Sequence, residues 1–172
     1  ARPPKVGDAG AIQRVTFLKA YLRQLRQFVD FKALKRLRGV VVSDPMGGAQ
    51  AGLLARVLKG TPLKVAAIHD RLDPLFCGLE APEPVEKNLK DLKEAVRRSR
   101  ARLGIATDGD GDRVGIVDDG GRFVTPHLVF ALLLLFMVRF RKLSGGVVKT
   151  VSGSYLLNRI ARAHGLKVHE TP

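Results

Sequence analysis

Through residues 15–37, apolar positions recur every three or four residues. Phe17, Leu18, Tyr21, Leu22, Leu25, Phe28 and Val29 would line one face of an amphipathic helix. From Arg38 onward the pattern becomes short apolar runs separated by helical stretches. Residues 40–42 predict a buried strand, 49–59 a helix and 63–68 a second strand, which together make one βαβ unit. A Pro- and Gly-containing loop over 70–84 leads to a charged helix over 85–100, with Pro84 at its first turn, and 103–106 reads as a third strand. Residues 114–117 and 122–124 predict a hairpin joined by the turn Asp118, Asp119, Gly120, Gly121. Thr125 reads as an N-cap and Pro126 as the first position of a helix running to Lys142, ended by Gly145 and Gly146. A strand over 147–151, a helix over 154–164 closed by Gly165, and a last strand over 166–169 complete the chain. Alternation of this kind predicts an α/β fold: a three-layer α/β/α domain with a mostly parallel, mixed sheet, preceded by an N-terminal helix. The expected division is a helical lead-in over 1–37, from a preceding domain or linker, and a domain over 38–172.

Composition narrows what such a domain does. The 172 residues are 45% apolar, enough for a proper core, and Lys plus Arg number 30 against 16 acids, for a net charge of +14. That charge suits a phosphorylated substrate, an acidic partner domain, a membrane surface or a polyanion. Against nucleic acid stand the absence of Trp, the presence of only two Tyr and the lack of basic runs interleaved with aromatics. Cys77 is the only cysteine, which excludes an internal disulfide and a thiolate-rich zinc site and leads to the expectation of a cytoplasmic protein. The N-terminal residues 1–5 hold no apolar signal region and do not begin with Met, so a piece of a longer protein is expected. The most apolar run, 128–138, falls short of the roughly 20 residues that span a bilayer and is closed by Arg139, Arg141 and Lys142. A buried helix, with no membrane partner, is the expectation there.

The sharpest chemical signal is Asp108, Gly109, Asp110, Gly111, Asp112, Arg113, directly after the strand over 103–106. Three carboxylates at alternate positions repel one another, and bringing them together calls for a compensating cation; hard oxygen ligands favour Mg²⁺ or a similar divalent ion. The glycines let so short a loop curl around an ion. Arg113 adds a donor fork for a phosphate beside it. The bland alternative is a solvated Asp/Gly turn, as 118–121 is read. Position separates the two, because the loop leaves the carboxyl end of a buried strand, where open α/β sheets build their sites. An EF-hand would need Gly sixth and Glu twelfth from Asp108, where Arg113 and Asp119 stand. A haloacid-dehalogenase-type phosphatase, superficially matched by 110–114, would carry this pattern on its first strand.

The run 107–114 resembles the metal-binding loop of the α-D-phosphohexomutases, the phosphoglucomutases and phosphomannomutases. Neighbouring segments resemble that family too: 41–48, its opening strand and Gly loop; 73–84, with Pro82, Glu83, Pro84 before a helix; and 150–154 with the closing Glu170, Thr171, Pro172. The resemblance implies a second, metal-loop domain. Asp108, Asp110 and Asp112 would be the Mg²⁺ ligands and Arg113 the catalytic residue, contacting a phosphate or fixing the loop. The parent enzyme would interconvert hexose 1-phosphate and hexose 6-phosphate through a phosphoserine and a bisphosphate intermediate. The expected partners are a hexose phosphate and the remaining domains of that enzyme.

No Ser-His-Asn-Pro phosphoserine segment occurs, so the chain alone is expected to be inactive. Ser43, Ser144, Ser152 and Ser154 read as caps or turn residues. His69 reads as a hydrogen-bonded structural residue, and His127, His164 and His169 share no ligand spacing. Lys149 or Arg71 is expected to join Arg113 near a phosphate path. Arg97, Arg98, Arg100 and Arg102 read as a solvated helix end, and Gly47 and Gly48 as an ordinary helix entry, an anion site at that N-terminus being the less favoured reading. Two other classes remain open here: a stand-alone Mg²⁺ or sugar-phosphate binding module, and a basic nucleic-acid binder.

Overall fold

The computed structural model describes residues 15–172; the first part of the expected lead-in, residues 1–14, lies outside them. The described lead-in is not one helix. Helix α1 (Leu18–Phe28) ends at Val29, and the Asp30 side chain caps a new turn, α2 (Phe31–Leu34), by accepting from the Ala33 N–H at 2.9 Å. An N-cap acid inside a periodic run restarts the helix instead of continuing it.

Strand β1 (Gly39–Asp44) pairs in parallel with β2 (Leu63–Ala67) on one side and β3 (Leu103–Thr107) on the other. Beyond β3 the ladder turns antiparallel, through β4 (Val114–Asp118) to the short β5 (Phe123–Val124), giving the order β2-β1-β3-β4-β5. The last two strands, β6 (Gly146–Thr150) and β7 (Lys167–Thr171), form a separate two-stranded parallel sheet. The fold is α/β and mixed, with three of its five ladders parallel.

Helix α4 (Lys90–Ser99) buries Leu92, Ala95 and Val96 on one face of the larger sheet. Gly104 permits this approach: a Cβ there would meet Val96 Cγ2 at 2.6 Å and Leu92 Cδ1 at 3.0 Å. Val42, Met46, Leu89, Ala101, Ala106 and Val117 complete that core. On the opposite face lies α3, shorter than the predicted 49–59 helix, at Leu53–Val57, because Gly52 at φ +69° holds the preceding residues in turns.

Helix α5 (Pro126–Arg139) starts as read, with Thr125 capping the Leu128 N–H. It is not the buried helix expected. Only Ala131 is buried, in a cluster with Leu157 and Ile160 of α6 (Tyr155–Ala163), while Leu128, Leu132, Leu133, Phe136 and Met137 stay largely exposed. Its packing partners, α6 and β4, cover one side of a helix that is apolar all round. Among the described residues no helix is long and apolar enough to cross a membrane.

Candidate metal centre

The acidic loop is the six-residue connection of a hairpin. Strands β3 and β4 are antiparallel, with Thr107 opposite Val114, and Asp108 N–H reaches the Arg113 carbonyl at 3.4 Å. Both Asp-Gly loops of the chain therefore join hairpin strands, whereas only 118–121 reads so from sequence. What distinguishes 108–113 is its walls. The loop after β1 runs beside it, with the Ala49 N–H donating to the Gly109 carbonyl at 2.9 Å. The Phe76 ring and Pro82 face Gly109, and the Gln50 side chain lies over Gly111, whose φ of +82° is closed to most other residues.

Asp108 is buried, 1% exposed, whereas Asp110 and Asp112 face solvent. One oxygen from each lies within 4.8 Å of the others. Arg113 closes the arrangement: its backbone N–H donates to Asp108 Oδ1 at 2.9 Å, its Nε to Asp108 Oδ2 at 2.7 Å and its Nη1 to Glu83 Oε1 at 2.9 Å. Burial alone would raise the Asp108 carboxyl, but the Arg113 backbone N–H and guanidinium outweigh it and hold the group at about 2. The Asp112 carboxyl is pushed up by sharing a hydrogen bond with Asp108 and by the negative charges of Asp110 and Asp108. Three carboxylates gathered beside one guanidinium leave the loop with an excess of negative charge. A hard divalent cation fits this all-oxygen donor set.

The structure thus brings together Asp108, Asp110, Asp112 and Arg113. It does not bring Lys149 to the loop. Lys149 is buried on the smaller sheet in an ion pair with Glu170, its cross-strand neighbour. Exposed Arg71 lines a hollow with His69, Asp70, Asp73 and Cys77. His69, in a left-handed backbone at φ +49°, places Nδ1 3.0 Å from buried Asp44, whose carboxyl burial pushes up, and Nε2 3.6 Å from Asp91. Ser154 is an N-cap and Ser152 bonds the Thr150 hydroxyl. Arg97, Arg98, Arg100 and Arg102 are exposed around the end of α4. With α3 starting only at Leu53, the Gly47–Gly48 turn opens no helix and no helix-terminal anion site. Sequence reasoning passed over Glu83, Gln50 and Phe76. An acid between two prolines was visible, but nothing local ties Glu83 to a residue 30 positions on.

Residues 19–121 match the family described as phosphoglucomutase/phosphomannomutase, alpha/beta/alpha domain II. The phosphoglucomutase/phosphomannomutase of Thermococcus kodakarensis is 34% identical over 167 residues, which is 97% of this chain and 36% of that protein. The phosphomannomutase/phosphoglucomutase of Pseudomonas aeruginosa is 34% identical over 134 residues, 74% of this chain and 26% of its own length. In the crystal structure of a phosphomannomutase homologue from Thermus thermophilus, the corresponding part superposes with a TM-score of 0.84 at 39% identity, covering 92% of this chain and 36% of that one. The chain spans between about a quarter and about a third of the length of these relatives.

Proposed function

The chain belongs to the phosphoglucomutase/phosphomannomutase family, and from that premise we propose that it is the Mg²⁺-binding domain of an enzyme that interconverts hexose 1-phosphate and hexose 6-phosphate. The phosphoserine and the sugar-reading surfaces come from other domains of that enzyme, and this chain alone has no turnover. The proposed division is a lead-in over 1–37 and the metal-loop domain over 38–172, within which β6, α6 and β7 sit on a sheet of their own. The proposed setting is the cytoplasm, in keeping with a single cysteine.

One observation carries the reading: three carboxylate oxygens within 4.8 Å, with the buried member clamped by a guanidinium. Asp108, Asp110 and Asp112 hold the cation. Mg²⁺, when bound, supplies Lewis-acid stabilisation of charge on the transferring phosphoryl group. Arg113 fixes Asp108 through Nε; its Nη2 makes no hydrogen bond among the described residues and is the donor proposed for a phosphate oxygen. The net charge of +14 draws a phosphorylated sugar toward the domain.

The test is turnover of the full-length parent on glucose, mannose and glucosamine 1-phosphates, with Asp110→Asn and Arg113→Ala variants alongside. Each substitution is expected to lower kcat at least a hundredfold, the scale on which removing one electrostatic contributor acts. Unchanged rates in both would overturn the assignment.

A further inference from the structure

Arg113 has three carboxylates in reach, and only one lies outside the cation loop. Its Nε is 2.7 Å from Asp108 Oδ2 and 3.7 Å from Asp112 Oδ1, while its Nη1 is 2.9 Å from Glu83 Oε1. The side chain is 59% exposed, so packing does not hold it. Glu83, by contrast, stands on a braced turn. It lies between Pro82 and Pro84, its N–H donates to the Ala81 carbonyl at 2.8 Å, and its own carbonyl accepts from Val85 N–H at 2.8 Å. Asn88 Nδ2 ties the turn down further by donating to the carbonyls of Ala81 at 3.0 Å and Glu83 at 2.9 Å.

We propose that Glu83 is a positioning residue that holds the Arg113 guanidinium on Asp108 and off Asp112, leaving the Asp112 carboxylate open to the cation. This rests on the cation reading above. A guanidinium is a rigid plane, so anchoring two of its nitrogens in different directions fixes its rotation where one anchor would not. Released from Glu83, the exposed side chain turns toward Asp112, already 3.7 Å away, and competes with the metal for one of its three ligands. Glu83 thus acts on the cation only through Arg113.

The experiment uses this chain in four forms: unsubstituted, Glu83→Gln, Arg113→Ala and the double variant. Mg²⁺ affinity is measured by calorimetry. The Arg113 Nε–H resonance, assigned by its loss in Arg113→Ala, is followed by ¹⁵N NMR without metal. Glu83→Gln is expected to shift that resonance and speed its exchange with water, and to weaken Mg²⁺ about tenfold, the lower end of what losing an outer-shell partner costs. In the Arg113→Ala background it is expected to change Mg²⁺ affinity less than about twofold, as two sites acting through one contact require. An undisturbed Nε–H, or equal weakening in both backgrounds, overturns the proposal. If Glu83→Gln unfolds the chain, Glu83→Asp, which keeps the charge but shortens its reach, carries the same comparison. An unsubstituted chain that binds no Mg²⁺, yet whose Nε–H still answers to Glu83, sinks the cation reading and leaves the positioning of Arg113 standing.

Discussion

Gly48 and Gly109 meet backbone against backbone: a Cβ on Gly48 would lie 2.5 Å from the Gly109 carbonyl oxygen. The neighbouring Ala49 N–H bonds that same oxygen at 2.9 Å, so the contact cannot open without breaking the tie between the two loops. Gly48→Ala should therefore destabilise the chain by about 1–3 kcal/mol, the usual cost of overpacking, and displace the acidic loop. Thermal unfolding and Mg²⁺ calorimetry check it. Wild-type values in both would mean the loops separate freely.

The three aspartates make separable contributions. Asp110→Ala leaves two carboxylates and should reduce Mg²⁺ binding below detection at millimolar metal without changing the melting temperature, since Asp110 is exposed. Asp108→Ala also removes the partner of the Arg113 backbone and side chain and should cost stability as well as affinity. Equal Mg²⁺ affinity in Asp110→Ala and the unsubstituted chain would sink the cation site.

Core and surface leucines should respond very differently. Leu92, fully buried between α4 and the sheet, should cost about 2–5 kcal/mol when replaced by Ala. Leu133 on α5, 51% exposed, should cost under about 1 kcal/mol. Denaturant unfolding of both variants separates them, and a reversed order would contradict the burial described.

The hairpin turn at Asp118 should be sensitive to acid. Its carboxyl is held below the ordinary value first by the Arg122 backbone N–H and then, against partial burial, by the Arg122 guanidinium. A carboxyl with a depressed folded-state pKa stabilises the fold fully above the unfolded value of about 3.9 and loses that contribution as pH falls through the folded value. Asp118→Asn should therefore flatten the fall in melting temperature below about pH 4. An NMR titration placing the Asp118 midpoint at or above about 3.9 would refute this.

Most of the sheet was readable because its strands are short apolar runs between turn residues, and alternate burial along Leu103–Thr107 and Val114–Asp118 follows the strand period. That period is the same for parallel and antiparallel neighbours, so sequence did not reveal that the acidic loop closes a hairpin. The break at Asp30 was visible as an acid inside an apolar repeat but was outweighed by the repeat itself. The exposure of α5 was hidden for another reason: an all-round apolar helix encodes a wish for burial, not whether this chain supplies the cover. The aspartates and Arg113 were legible as one local motif. Glu83, Gln50 and Phe76 reach the motif through the fold alone.

Because the acidic loop joins two strands paired from Thr107↔Val114 to Leu103↔Asp118, an ion held at its tip would be felt along the whole ladder. Local opening of the hairpin has to release that ion, so its binding free energy adds to the cost of opening. Amide hydrogen exchange of Ile105 and Ile116, paired at the middle of the ladder, then reports the ion's occupancy from within the sheet. At metal a hundredfold above its dissociation constant, protection there should rise by about 2.7 kcal/mol, close to a hundredfold in exchange rate.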